Sequence, residues 1–86
     1  MFYIYIIKSI KSGKIYIGYS SDLKRRMIEH NSGQSDYTKS DKPWKLVYYE
    51  AYASDKDARV REKRLKNYAQ SLTLLKKRIF NSFYEN

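Results

Sequence analysis

Two short alternating stretches near the N-terminus constrain the fold of this chain more than any other feature of its sequence. Residues 2–8 and 14–19 are rich in β-branched and aromatic residues, and their side chains alternate with the period of two that strands require. Residues 9–13 between them have turn composition and hairpin length. The two strands are therefore predicted to be antiparallel neighbours.

The expected register of this hairpin brings aromatic hydroxyls together. A four-residue loop over residues 9–12 would place Tyr5 opposite Tyr16, with Tyr3, Tyr5 and Tyr16 on one face of the sheet and the isoleucines on the other. Tyrosines commonly occur in strands, with the ring packed and the phenol hydroxyl in contact with water. Isoleucine would satisfy the same strand propensity without hydroxyls to accommodate, so we treat the three tyrosines as a candidate functional cluster.

A helix and a long loop are expected after the hairpin. Ser21 or Asp22 is a suitable N-cap for a helix through residues 23–30 that ends before Gly33, a suitable left-handed C-cap residue. Residues 34–43 are polar, lack periodicity and end in proline, which predicts a loop long enough to be functional.

The second half of the chain predicts one strand and two helices. The strand covers residues 44–52, and Ser54 begins a capping-box-like start for a helix over about 55–69. A last helix, opened by Ser71, carries one apolar stripe made of Leu72, Leu75, Ile79 and Phe83. The predicted order of elements is ββαβαα.

Size and composition indicate a single folded domain over residues 1–86. The chain has no cysteine, which excludes a disulfide framework, a disulfide-linked partner, a thiolate zinc site and a cysteine nucleophile. Its longest apolar run is far short of the ~18 residues that a membrane span needs, and Met1 leads into the first strand without a basic n-region. We expect a cytoplasmic protein with no membrane partner.

The charge balance is the first functional signal. Eighteen Lys and Arg against nine Asp and Glu give a formal net charge of +9, and residues 56–78 carry nine basic side chains against two acidic ones. Such an excess favours an anionic partner, and binding to a phosphate backbone is its commonest reason. The alternative is a well-solvated helix surface.

Glu62 stands where an apolar side chain is expected. Helical projection puts it in one narrow stripe with Ala58, Leu65 and Ala69. An isolated buried carboxylate is costly, so it must find a partner, a proton or a metal. Two interpretations stay open at this point: a salt bridge to an arginine such as Arg26 or an edge position that reaches water, and a ligand for a hard divalent cation, with magnesium favoured.

The first helix gives a similar hint. His30, the only histidine of the chain, projects onto the apolar face with Leu23 and Met27, and Arg26 lies beside that stripe one turn earlier. A hydrogen-bonded structural histidine and a snorkelling surface arginine are the ordinary alternatives.

These residues occur in an order that matches a known family. The matching segments are Tyr3-Ile4-Tyr5, Gly13-Lys14-Ile15-Tyr16-Ile17-Gly18, Ser20-Ser21-Asp22-Leu23-Lys24-Arg25-Arg26, His30, Tyr37-Thr38-Lys39, residues 42–50 and residues 61–66. The set resembles the GIY-YIG nuclease superfamily over nearly the whole chain, although Tyr3 stands where glycine is usual. It looks like the small stand-alone bacterial branch, which is also similar to the nuclease module of structure-selective endonucleases.

The resemblance implies an α+β fold in which helices flank a three-stranded antiparallel sheet, and a phosphodiesterase that uses one Mg²⁺ or Mn²⁺ ion. Tyr5 and Tyr16 match the motif tyrosines, Arg26 and His30 the helix residues, and Glu62 the single metal-binding carboxylate. Tyr37 matches a loop position of the family less specifically. Neither Asn67 nor Asn81 stands at the spacing of the asparagine that many members carry after the glutamate. Which tyrosine acts as the base stays open.

The expected partner is nucleic acid, with DNA placed before RNA, bound by a monomer. The basic side chains expected to contact it are Lys14, Arg25, Lys39, Arg61, Arg64 and Lys66. Two alternatives belong to other classes. One is a non-catalytic basic nucleic-acid-binding module on the same fold, and the other is a structural protein that binds a ribosome or another partner.

Overall fold

The computed structural model describes residues 1–85. Three antiparallel strands form one sheet in the order β2-β1-β3, and helices pack on both faces of it. The elements are β1 (Phe2–Ser9), β2 (Ile15–Ser20), α1 (Leu23–Asn31), β3 (Trp44–Tyr52), α2 (Asp55–Asn67), α3 (Ala69–Arg78) and α4 (Phe80–Tyr84), with a 3₁₀ turn at Lys39–Asp41. The predicted α+β class and three-stranded antiparallel sheet are confirmed.

Local capping explains where two of the helices begin. The Asp22 side chain accepts a hydrogen bond from the backbone N–H of Arg25 at 3.1 Å, so α1 begins where the N-cap pattern predicts. Ser54 accepts one from the backbone N–H of Asp57 at 3.5 Å at the start of α2. Gly33 follows α1 with φ +81°, a conformation that glycine adopts without strain.

One face of the sheet carries the larger apolar cluster. It buries Ile4 and Ile6 of the central strand and Ile17 of β2. Helices α2, α3 and α4 cover these isoleucines with Ala58, Leu65, Leu75 and Phe83. This face supplies the main hydrophobic core.

The opposite face carries Tyr3, Tyr5, Tyr16 and α1. Tyr5, Ile7 and Trp44 form a second buried cluster, which Leu23 and Met27 of α1 cover. The prediction that all isoleucines oppose the tyrosines is wrong for Ile7, because it has the same strand parity as Tyr5. The first helix therefore lies on the face where the tyrosine hydroxyls lie.

The hairpin register is also shifted from the predicted one. Tyr5 pairs with Gly18, and Tyr16 pairs with Ile7. The loop lies one residue later than predicted, because Ser9 still pairs with Lys14 through its backbone N–H at 2.8 Å and leaves residues 10–13 as the turn. The Ser9 hydroxyl accepts two backbone N–H groups of this turn, at 2.9 and 3.1 Å. A shift of two residues preserves the alternation of side chains, so Tyr5 and Tyr16 share a face as diagonal neighbours.

The last predicted helix is two helices, so the order of elements is ββαβααα. Its first part begins at Ala69 rather than after Ser71, and Ile79 breaks it with φ −111° and ψ 32°. The break redirects the chain so that Phe83 is buried in the same cluster as Leu75. No glycine or proline marks this position, so packing sets the break. Across residues 1–85, no helix has the length and apolar character needed to cross a membrane.

Candidate active site

The phenol of Tyr5 lies against the backbone of β2. Tyr5 is fully buried, and its ring passes over Gly18 on the paired strand. A Cβ atom at residue 18 would overlap the phenol of Tyr5 and would lie 2.9 Å from Cε2 of Tyr16. Glycine is therefore required here by the close approach of a side chain, and Gly18 sets where the Tyr5 hydroxyl lies.

Burial also determines the protonation state of this phenol. Desolvation and the neighbouring Tyr16 phenol raise the pKa of Tyr5 to about 12, with a smaller contribution from the charge of Glu62. The Arg26 guanidinium opposes this shift without cancelling it. Tyr5 is thus a protonated phenol at neutral pH.

His30 links this phenol to the loop after α1. The imidazole is fully buried, with Nε2 2.8 Å from the hydroxyl oxygen of Tyr5 and Nδ1 2.7 Å from the hydroxyl oxygen of Thr38. Desolvation, together with the positive charge of Arg26, lowers the pKa of His30 to about 4, while Glu29 opposes the shift. His30 is therefore neutral at physiological pH and carries one ring hydrogen.

Arg26 is held at the edge of the same cluster. Its guanidinium donates to Oε1 of Glu29 at 2.9 Å and to the hydroxyl of Ser35 at 3.4 Å. Burial disfavours its charge, but the Glu29 hydrogen bond and the phenols of Tyr5 and Tyr16 outweigh burial and raise the pKa of Arg26. The arginine is a fixed cation beside two phenols.

Tyr16 connects the buried cluster to an open groove. Its ring packs edge-on against His30 at a centroid separation of 5.2 Å and lies 5.4 Å from the ring of Tyr37. Tyr37 is 80% exposed. A groove of about 480 Å³ begins at these two tyrosines, and its other lining residues are Ile15, Ile17, Leu65, Lys66 and Leu72.

Glu62 reaches this site from α2. Its carboxylate pairs with Lys66 at 2.9 Å, and the Lys66 ammonium lies 5.8 Å from the centroid of the Tyr16 ring. The salt bridge to Arg26 that the sequence left open is not formed, because Arg26 pairs with Glu29. Glu62 therefore occupies the edge of the apolar stripe, where it is partly open to solvent.

A hydrogen-bond network on the side of α2 that faces β3 fixes the rotation of this helix. Arg61 donates three hydrogen bonds to the half-buried carboxylate of Glu50, at 3.0 to 3.2 Å. The phenols of Tyr48 and Tyr52 donate to the same carboxylate. Because Arg61 is held against β3, the next residue, Glu62, is turned toward the tyrosines.

Glu62 is the predicted metal-binding carboxylate, and its chemistry can be compared with what a magnesium ion needs. Residues 1–85 contain no cluster of three or more histidine or acidic side chains that could hold a metal. Glu62 is a single carboxylate whose charge is the smallest of the causes that raise the pKa of Tyr5. Magnesium commonly accepts one or two carboxylates and completes its shell with water and substrate phosphate, so the chemistry of Glu62 is compatible with such an ion.

The six predicted nucleic-acid contacts divide into two groups. Lys14, Arg25, Lys39 and Arg64 are exposed, and the first three approach acidic neighbours at 3.4 to 3.9 Å. Lys66 lines the groove and is the only one of the six at the tyrosines. Arg61 is engaged with Glu50 on the other side of α2. Their contact with nucleic acid stays a prediction.

Sequence reasoning missed four residues that build the site: Gly18, Glu29, Ser35 and Thr38. A glycine inside a strand pattern signals close backbone approach, so Gly18 could have been assigned a role. Ser35 and Thr38 lie in an aperiodic loop and have no comparable signal, although both are buried. Their burial depends on Trp44, whose indole N–H donates to the Thr38 carbonyl at 2.8 Å and draws the loop inward.

Comparison with known proteins agrees with this geometry. A family model described as the GIY-YIG catalytic domain matches residues 1–79. A UPF0213 protein of Staphylococcus saprophyticus is 41% identical over 73 residues, which are 84% of this chain and 88% of that protein. A UPF0213 protein of Staphylococcus aureus strain Mu3 is 39% identical over 79 residues, with 88% and 95% of the two chains covered.

A solved structure supports the same assignment. The solution NMR structure of the UPF0213 protein BH0048 from Bacillus halodurans superposes with a TM-score of 0.52 and 33% sequence identity, over 87% of this chain and 83% of that one. Its sheet and helices follow the same arrangement. The chain therefore belongs to the GIY-YIG catalytic-domain family and, within it, to the small bacterial UPF0213 proteins.

Proposed function

We propose that this protein is a divalent-metal-dependent endonuclease that hydrolyses phosphodiester bonds of nucleic acid by in-line attack of water. The observation that carries the proposal is the cluster of Tyr5, Tyr16 and His30, whose ring centroids lie 5.2 to 6.3 Å apart. The charges of Arg26 and Glu62 lie near enough to act on the Tyr5 phenol, so a cation, a carboxylate and two phenols lie in one region of the molecule. Membership of a catalytic-domain family supports the same conclusion.

Each of these groups meets a need of phosphodiester hydrolysis. The transition state gathers negative charge on the phosphoryl oxygens, and Arg26 is a permanent cation that Glu29 and Ser35 hold in place. Glu62 would hold the Mg²⁺ or Mn²⁺ ion. When bound, such an ion would stabilise the negative charge that develops in the transition state.

The environments of the two tyrosines favour different roles. Tyr5 is fully buried, its pKa is about 12, and its hydroxyl is engaged with His30, which makes it a poor base. Tyr16 lies at the mouth of the groove, with the Lys66 ammonium over its ring. We assign Tyr16, acting as its phenolate and becoming the phenol, as the group that accepts the proton of the attacking water, and Tyr5 as a hydrogen-bond donor.

Binding to nucleic acid would use the excess of positive charge. The net charge is +9, and exposed Lys66 lines the groove, while Lys39 and Arg64 are exposed on the loop and on α2. If about five phosphates are neutralised, log K should fall with log salt at a slope of roughly −4 to −5. An affinity that does not depend on salt would contradict this mode of binding.

A cleavage assay with a matched pair of variants tests the enzyme. Pure wild-type protein, Glu62→Gln and Glu85→Gln are incubated with labelled single-stranded, duplex and branched DNA and RNA, with Mg²⁺, Mn²⁺ or chelator. Glu85 is an exposed carboxylate after α4, so its variant controls for loss of one negative charge. We expect metal-dependent cleavage by wild type and Glu85→Gln, and none by Glu62→Gln.

Two results would contradict the proposal. Equal cleavage by wild type and Glu62→Gln would show that the activity does not come from this site. Salt-dependent binding by all three proteins, with no cleavage of any substrate in either metal, would assign the chain to the non-catalytic nucleic-acid-binding class.

A further inference from the structure

A buried hydrogen-bond chain of three groups leads from the loop into the active site. The Thr38 hydroxyl, the His30 imidazole and the Tyr5 hydroxyl are joined by contacts of 2.7 and 2.8 Å, and all three residues are fully buried. Because the imidazole is neutral, it has one hydrogen for its two nitrogens. The hydrogens in this chain must therefore all point the same way, either from Thr38 toward Tyr5 or in reverse.

The two ends of this hydrogen-bond chain differ in whether an acceptor is available for the last hydrogen. Within residues 1–85, the hydroxyl of Thr38 has no hydrogen-bond partner other than His30, so the reverse direction would leave a buried hydroxyl hydrogen without an acceptor. At the other end, the charges of Arg26 and Glu62 act on the hydroxyl of Tyr5. The oxygens of a phosphate bound beside the Arg26 cation can accept the last hydrogen.

We propose that Thr38 is a positioning residue that holds His30 in the tautomer with its hydrogen on Nε2, so that the imidazole donates to Tyr5 and directs the Tyr5 hydrogen into the active site. His30 then acts as a hydrogen-bond donor to the phenol rather than as the acceptor of its proton. The catalytic consequence rests on the proposed function, in which the directed hydrogen stabilises a phosphoryl oxygen.

The position of Thr38 is itself fixed from two sides. The indole N–H of Trp44 donates to the Thr38 carbonyl at 2.8 Å, and the backbone N–H of Thr38 donates to the Ser35 carbonyl at 3.2 Å. Asn31, next to His30, accepts from the backbone N–H of Trp44 at 2.6 Å and donates to its carbonyl at 3.0 Å. The end of α1 and the loop thus hold the Thr38 hydroxyl and the His30 imidazole within hydrogen-bond distance of each other.

The tautomer can be read directly because the chain has one histidine. Wild-type protein labelled with ¹⁵N-histidine should give one pair of ring nitrogen signals by NMR at neutral pH. We expect the hydrogen on Nε2, and Nδ1 with the downfield shift of a bare nitrogen that accepts a hydrogen bond. A hydrogen found on Nδ1 would overturn the proposal.

Two variants separate positioning from packing. Thr38→Val keeps the shape of the side chain and removes the hydroxyl, whereas Thr38→Ser keeps the hydroxyl. We expect the Nδ1 signal to move in Thr38→Val and to stay near its wild-type position in Thr38→Ser. An Nδ1 signal that is unchanged in folded Thr38→Val would overturn the proposal.

Kinetics complete the test and keep it distinct from the proposed function. In the cleavage assay, Thr38→Val should lower kcat about tenfold with KM nearly unchanged, and Thr38→Ser should restore most of the loss. Equal loss in both variants would contradict the positioning role. The tautomer is measured without substrate. A wild-type protein that carries the His30 hydrogen on Nε2 but cleaves nothing would therefore contradict the proposed nuclease activity, while the direction of the hydrogen bonds from Thr38 to Tyr5 would still be supported.

Discussion

The two faces of this sheet use the same three strands for opposite purposes. The face under α2, α3 and α4 buries isoleucines, leucine and phenylalanine, whereas the face under α1 buries hydroxyls and an imidazole between Tyr5 and Thr38. In residues 1–85, no buried side-chain nitrogen or oxygen is left without a hydrogen-bond partner. A chain of this size can therefore bury a polar site when an apolar layer on the other face provides the stability.

This contrast predicts that changes on the two faces separate stability from activity. The largest loss of stability is expected from Ile6→Ala, because Ile6 is fully buried on the apolar face and its truncation leaves a cavity. We expect the free energy of unfolding in urea to fall by about 4 kcal/mol. The control is Ile28→Ala, since Ile28 is 59% exposed on α1 and should change the value by less than about 0.5 kcal/mol.

The face under α1 should make stability depend on pH through His30. His30 has a folded pKa of about 4, below its unfolded value of about 6.5, so the unfolded state binds the proton first. Stability should be complete above pH 6.5 and fall by about 3 kcal/mol as pH drops to 4, with about 2 kcal/mol lost by pH 5. Urea unfolding of wild type and His30→Gln at pH 7 and 5 measures this loss, and an equal decrease in both proteins would assign it to other groups.

Arg26 should affect activity with little effect on stability. Arg26→Ala removes a fixed cation beside the two phenols, and we expect cleavage to fall roughly 10²-fold, equivalent to about 2.7 kcal/mol of transition-state stabilisation. Lys24→Ala is the matched control, because Lys24 is an exposed cation on the same helix and is not among the predicted nucleic-acid contacts. Similar cleavage rates in the two variants would return Arg26 to the role of a surface cation.

The smallest effect is expected where the two strands of the hairpin meet. Gly18→Ala introduces a Cβ that overlaps the Tyr5 phenol, which should cost about 2 kcal/mol of stability through overpacking. Combining Gly18→Ala with Tyr5→Leu should cost less than the sum of the two single changes, because the overlap is removed. Additive losses in urea unfolding would show that the two residues do not compete for this space.

Much of the fold followed from local sequence patterns. The alternation in β1 and β2, the Asp22 cap of α1 and the bounds of β3 were all predicted and are present in the structure. These features depend on neighbours within a few residues, where backbone sterics and capping act. Family resemblance also identified the tyrosines, Arg26, His30 and Glu62, whose catalytic roles stay predictions.

Only the tertiary structure decided how these residues meet. The hairpin register depends on the Ser9 hydroxyl, the break at Ile79 on burial of Phe83, and the partner of Glu62 on the rotation of α2 that Arg61 and Glu50 set. Thr38 reaches His30 because Trp44 draws the loop inward, an interaction between residues that no periodicity relates. Sequence alone thus determined which side chains are available and on which face they lie. Long-range packing determined their distances and hydrogen-bond partners, because those depend on contacts between segments that are far apart along the chain.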